Sequence, residues 1–205
     1  MDKQYLTADE TSAKYFNRTT RGITQQFVGN LLSELKSLKP ETILDVGCGT
    51  GYITSIMSDE LDSTVIGCDM DTNRISFARD NFGQEVIIGD ITQLPFRDNS
   101  FDVVVASEII EHIHCTEVAL TEMERVARKN VVITVPNEPY FRIANFLRGK
   151  NVTMFGNPPD HVNHYNKMSL KQVLEAHFHK VEIKTSAIFW IMATAHQATF
   201  YKTRG

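Results

Sequence analysis

Hydrophobic positions along this chain switch repeatedly between a helical period and short apolar runs. From Ile23, the residues Phe27, Leu31, Leu35 and Leu38 recur every three or four positions, one face of an amphipathic helix that stops before Pro40. Residues 43–46 are short and mostly apolar, as expected for a parallel strand covered on both faces. The two signals then alternate. Helices are predicted over 52–61, over 71–81 with Asp71 or Thr72 as its cap, and over 116–128. Strands are predicted over 64–68, 85–89, 101–106 and 130–135; residues 107–113 follow at the carboxyl end of the fourth strand, where on a helix Glu108 and His112, four apart, would share a face. In the 116–128 helix, Val118, Met123 and Val126 are expected to face inward, with Glu122, Glu124, Arg125 and Lys129 on a solvated face. After Pro136-Asn137-Glu138-Pro139 the alternation breaks down into a short helix over 140–147, a loop over 149–160 and a helix over 169–177. A sixth strand is expected over 181–187. Ile188-Phe189-Trp190-Ile191-Met192 follows so closely that a seventh strand is left in doubt. Strands alternating with helices predict an α/β architecture.

The first strand runs into Asp45-Val46-Gly47-Cys48-Gly49-Thr50-Gly51, an acid followed by glycines at alternate positions. Glycine permits positive φ and close approach of a ligand to the backbone. The predicted helix behind it would turn free N–H groups toward that ligand. A dinucleotide-binding turn places its third glycine three residues after the second and holds pyrophosphate. Here the third glycine is one place early and Asp45 precedes the first, which repels phosphate and favours a cationic ligand. A nicotinamide dehydrogenase is therefore the weaker enzyme reading. Asp69 ends the second strand, where a carboxylate can accept hydrogen bonds from both ribose hydroxyls, and Met70 beside it can pack on an adenine face. Glu108 and His112 follow the fourth strand, and an imidazole is the side-chain type most often used as a general base.

The turn, Asp69, Asp90 and the segment 107–112, in this order, resemble the class I S-adenosylmethionine (SAM) dependent methyltransferases, most closely the type 11 or ubiquinone-biosynthesis group. The resemblance spans about residues 42–174. It implies a Rossmann-like, doubly wound, mostly parallel sheet of six or seven strands with helices on both faces, the last strand antiparallel. It also implies that Asp45, Gly47, Cys48, Gly49 and Gly51 meet the methionine part of SAM, whose ammonium Asp45 orders. Asp69 and Met70 would hold ribose and adenine, Asp90 the adenine amino group and Ile91 the ring, with Ser107 and Glu108 also at the cofactor. The expected reaction is methyl transfer to a small-molecule acceptor, releasing S-adenosylhomocysteine, with His112 or His164 as candidate base. The alternative is a non-catalytic SAM-binding regulatory or partner subunit.

Composition narrows this further. With 205 residues and 42% hydrophobic content, one domain over 1–205 is expected, with an N-terminal arm or lid over 1–20 carrying Tyr15 and Phe16. A substrate-side insertion is expected over 137–168. A net charge of −4 disfavours a nucleic-acid partner. Cys48, Cys68 and Cys115 have no paired spacing, and no apolar run reaches the roughly 18 residues of a membrane span. A cytoplasmic protein, monomer or homodimer, is expected. His161 and His164 are expected to line the pocket or anchor the loop. No metal is expected, since no histidine spacing matches a zinc cluster and no cysteine accompanies them.

Overall fold

The computed structural model describes residues 20–198. Its strands are β1 (Thr42–Val46), β2 (Thr64–Asp69), β3 (Val86–Ile88), β4 (Phe101–Ser107), β5 (Ala127–Pro136), β6 (Lys180–Ser186) and β7 (Trp190–His196). They form one sheet in the order β3-β2-β1-β4-β5-β7-β6. The helices are α1 (Arg21–Leu38), α2 (Tyr52–Glu60), α3 (Thr72–Phe82), α4 (Thr116–Val126), α5 (Tyr140–Leu147) and α6 (Lys167–Glu175).

Side chains alternate across each strand, so the central strands are apolar on both faces. On one face Leu44, Val46, Val104, Ala106, Val131 and Ile133 pack with Leu120 and Met123 of α4 and with Leu170 and Leu174 of α6. On the other, Ile43, Val103, Val105 and Val132 pack with Phe27, Leu31 and Leu35 of α1 and with Ile53 and Met57 of α2. The β1–β4–β5 centre is fixed by parallel pairing, Ile43 opposite Val103 and Val104 opposite Val131. This register brings the carboxyl ends of β1, β2, β4 and β5 to one edge.

The seventh strand is complete. β7 pairs antiparallel with both β5 and β6, filling the gap between them, and the other six strands run in one direction. An antiparallel neighbour needs only a tight turn, whereas a parallel one needs a crossover of about a dozen residues. Ala187, Ile188 and Phe189 make that turn, with φ of 47° at Ala187 and 67° at Ile188, which explains how so little chain suffices.

Three expectations are corrected. Residues 107–113 are not a helix: Glu108 has φ of 54°, and only Ile110–His112 form a single 3-10 turn, so Glu108 and His112 do not share a helical face. Val118 is 48% exposed. Glu122 and Arg125 are not a solvated face. Glu122 accepts the Leu94 N–H at 2.9 Å, while Arg125 donates to the Leu94 and Phe96 carbonyls, fastening the loop after β3 to α4. Of the expected arm, residues 1–19 with Tyr15 and Phe16 lie outside the described residues. Among the described residues no helix is long and apolar enough to cross a membrane.

Helix α1 is locked to the far strands by a buried acid. Glu34, 8% exposed, accepts hydrogen bonds from Thr194 at 2.7 Å and Lys184 at 2.6 Å. Burial alone would raise its carboxyl, but the hydrogen bonds from Lys184 and Thr194 outweigh that and hold it below its ordinary value of 4.5. A depressed native value stabilises above the unfolded-state value and is lost as pH falls through the native one. Glu34→Ala should cost about 1–3 kcal/mol at pH 7, because it orphans the buried Thr194 hydroxyl. In urea titrations that deficit should shrink as the pH falls below about 4.5.

Candidate functional site

The turn between β1 and α2 is held open by its own backbone. Gly47, Gly49 and Gly51 have φ of 70°, 55° and 77°, values that a side chain resists. A Cβ on Gly47 would stand 2.7 Å from Ile109, and one on Gly51 2.7 Å from Ala78, so both glycines are also required by packing. A Cβ on Gly49 would meet nothing within 4 Å: this is where the turn presents bare backbone to open space. The Gly47 and Cys48 N–H groups donate to the Cys68 carbonyl at 2.7 and 3.1 Å, tying the turn to β2.

Two carboxylates flank it. Asp45, 2% exposed, accepts a hydrogen bond at 2.7 Å from Thr54 on the first turn of α2. Burial pushes its carboxyl up to about 7; Thr54 opposes the shift and the negative charge of Asp69 adds to it. Asp69, 6% exposed, accepts the Gly49 N–H at 2.8 Å on one oxygen and the Asp71 N–H at 2.9 Å on the other. Asp69 therefore sets the shape of the turn as well as its charge. Two buried acids beside a glycine turn suit a ligand with a cationic head and repel a pyrophosphate. The ammonium and sulfonium of SAM meet that requirement.

The other expected residues lie along the same edge in different states. Cys48 turns its thiol inward, toward Gly67 and Val86, which leaves its backbone at the turn. Burial, with Asp45 and Asp69 nearby, raises that thiol well above its ordinary value, so it is no nucleophile. Met70 is 72% exposed at the edge. Asp90 is exposed, and one of its oxygens accepts both the N–H and the hydroxyl of Thr92, at 2.8 and 2.7 Å. Those two bonds hold its carboxyl below the ordinary range and keep it ionised. Ile91 is 8% exposed, with its side chain in the core beneath the edge. Ser107 shares a hydrogen bond with Thr134 at 3.0 Å, and the Glu108 carboxylate accepts the Trp190 indole N–H.

The two histidines expected as bases part company. His112 places Nδ1 3.0 Å from the Asp160 carbonyl, while His164 is exposed, its imidazole lowered by partial burial and by Arg142. The ring beside His112 belongs to His161, edge to face at a centroid distance of 4.9 Å. Sequence reasoning also missed Thr54 and Trp190. Thr54 was signalled only by a hydroxyl one turn into the helix behind the glycines. Trp190 reaches Glu108 through a strand pairing that local pattern does not encode. Beyond β5 lies an open cleft of about 530 Å³, lined in part by Asn137, Glu138, Tyr140, Asn166, Met168 and Ile188. Burial raises the Glu138 carboxyl there.

The state of Asp45 sets a pH signature in the ligand-free protein. An acid whose native value lies above its unfolded value of 3.8 binds more protons when folded, so its ionisation costs stability as pH rises from about 4 to about 7. Asp45→Asn keeps an oxygen for Thr54 but cannot ionise. Its stability relative to the native chain should therefore improve steadily over that interval, by up to about 4 kcal/mol, and level off above it. Denaturant titrations at pH 5 and pH 8 check this; an unchanged difference would mean that Asp45 is not held protonated.

Residues 44–135 match the family described as a methyltransferase domain. The O-methyltransferase cnsE of Penicillium expansum is 31% identical over 126 residues, which cover 56% of this chain and 46% of that protein. The chain spans about half or less of the length of curated relatives of this kind. A SAM-dependent methyltransferase of Aquifex aeolicus superposes with a TM-score of 0.71 at 21% identity, covering 93% of this chain and 99% of that one. Magnesium protoporphyrin IX methyltransferase (ChlM) of Synechocystis PCC 6803, solved with bound SAH, gives 0.65 at 15% identity, covering 93% and 100%. At those identities the two structures are similar in fold. Residues 44–135 of this chain thus match a methyltransferase domain, and its fold is similar to that of solved SAM-dependent methyltransferases.

Proposed function

We propose that this chain binds SAM in the turn between β1 and α2 and transfers its methyl group to a small-molecule acceptor, releasing S-adenosylhomocysteine. The observation that supports this most strongly is the pair of buried carboxylates, Asp45 and Asp69, around a backbone turn open at Gly49. In this reading Asp45 gives up its proton and orders the ammonium of the methionine part, while Gly47 and Gly49 allow the backbone to approach it. Asp69 accepts from the ribose hydroxyls with lone pairs left over from its two backbone bonds, each new bond worth about 1.5–3 kcal/mol. Met70 covers one adenine face, and Asp90, already ionised, accepts from the adenine amino group.

When bound, SAM supplies an electrophilic methyl group on a good leaving group. The protein's own task is then to hold an acceptor in line and keep water out, and such positioning can supply about 7–11 kcal/mol of the barrier. The cleft lined by Asn137, Glu138, Tyr140 and Met168 opens on the same edge and is our candidate for the acceptor, which makes 137–168 the segment that selects substrate.

The purified chain, incubated with methyl-labelled SAM and a small-molecule cell extract, should label a low-molecular-weight product. Asp69→Ala should weaken calorimetric SAM binding at least tenfold, about 1.4 kcal/mol, and suppress the labelling in step. Tight SAM binding without any transfer would instead favour a non-catalytic SAM-binding subunit. Label found only in macromolecules would overturn the small-molecule acceptor.

A further inference from the structure

The segment after β4 and the loop before α6 are laced together. The N–H groups of Val162 and Asn163 both donate to the Glu111 carbonyl, at 2.9 and 3.0 Å. The Asn163 side-chain amide donates to the carbonyls of Ile113 at 2.7 Å and Ile110 at 3.2 Å. A loop some fifty residues downstream is thereby fixed against a single 3-10 turn. The consequence is a side-chain cluster that no local spacing announces: Glu111, His112 and His161 each place one oxygen or nitrogen within 4.8 Å of the others.

Its parts are built in a way that suits coordination. Glu111 is 1% exposed, which keeps its carboxylate away from bulk water beside the two imidazoles. His112 has Nδ1 at 3.0 Å from the Asp160 carbonyl and 3.4 Å from the Asp160 carboxylate, both acceptors, so Nδ1 is the donor and Nε2 is the nitrogen that can serve as a ligand. Metal-bound histidines are commonly oriented in this way, by a carbonyl on the nitrogen that is not a ligand. The His161 ring lies stacked on Phe141 at 5.9 Å with its edge relation to His112 at 4.9 Å, so its plane is held from two sides. Bonds of about 2.0–2.2 Å would bring three tetrahedral ligand atoms to roughly 3.3–3.6 Å from one another. Small side-chain rotations from the present separation reach that.

We propose that Glu111, His112 and His161 form a binding site for one divalent cation that accepts imidazole nitrogen, of the Zn²⁺, Mn²⁺, Fe²⁺ or Co²⁺ kind. Two imidazoles and one carboxylate match the donor preference of these ions and not that of Ca²⁺ or Mg²⁺. Three protein ligands leave coordination positions open, the mark of a site that takes an external ligand and not of a purely structural one. In this assignment His112 is a ligand and not a general base. The histidine spacing gave no such signal, because the ligand set is completed across the fold by Asn163 and not along one helix.

The test uses the untagged full chain, stripped with a chelator and titrated with Co²⁺, whose visible absorption and calorimetric heat report coordination independently of methyl transfer. One equivalent should bind to the native chain. His161→Ala and Glu111→Gln should each weaken binding at least tenfold, whereas His179→Ala, on the surface away from the cluster, should bind as the native chain does. Glu111→Gln preserves side-chain shape, so it reads the site even where His161→Ala loosens the loop; thermal midpoints of all three report folding. Absence of a stoichiometric Co²⁺ complex in the native chain, or binding that survives both cluster substitutions, would overturn the assignment. Neither result bears on SAM binding, so this proposal and the methyltransferase reading fail separately.

Discussion

Everything at the working edge depends on how this chain keeps two carboxylates out of water and close to one another. Asp45 stands opposite Gly67 near the end of β1 and Asp69 closes β2 two residues farther on, so both carboxylates lie at the same end of neighbouring parallel strands, where the charge of Asp69 acts on Asp45. The chain meets the cost in two different ways. Asp69 spends its oxygens on the N–H groups of Gly49 and Asp71, while Asp45, with one hydroxyl as donor, is pushed toward the protonated form. Asp69 thereby sets both the shape and the charge of the glycine turn, while Asp45 holds a proton that it can give up.

The core beneath is what makes such an edge affordable. Strands β1, β4 and β5 are covered on both faces by helices, and their parallel pairing aligns the carboxyl ends from which the turn, the segment after β4 and the loop after β5 project. The β6–β7 hairpin completes the edge: Trp190 at its start reaches Glu108, and Asn137 is tied to the hairpin turn through the Phe189 carbonyl. The hairpin at one end of the sheet therefore contributes indirectly to the geometry of a site built from the other strands. The loop carrying His161 is likewise positioned by Asn163.

Much of this was legible in the amino-acid sequence, for identifiable reasons. Period changes located β1, α2, β2 and α3 because these elements bury regular apolar faces, and Asp71 caps α3 through the N–H groups of Asn73 and Arg74 as its position before the helix suggests. The glycine turn was legible because positive φ is written in glycine. The shared face that a helix would give Glu108 and His112 does not form, because Glu108 adopts a left-handed backbone and only Ile110–His112 make a 3-10 turn. Glu122 and Arg125 looked like a solvated face because period alone cannot reveal a loop lying across the helix. The seventh strand was obscured for a related reason: a hairpin turning through Ala187 and Ile188 carries none of the usual turn residues. The pairing of His112 with His161 lies beyond any local pattern.

The central claim is that the glycine turn takes a cation and that Asp45 answers it by losing its proton. Calorimetry of S-adenosylhomocysteine binding at pH 6, repeated in two buffers of different ionisation enthalpy, reads that proton directly. With the Asp45 carboxyl near 7 in the free chain, binding should release close to one proton per site, and Asp45→Asn should bind more weakly with no release. Tight binding with no proton released by the native chain would contradict the account, because the ligand would then be held without ever meeting the charge of Asp45.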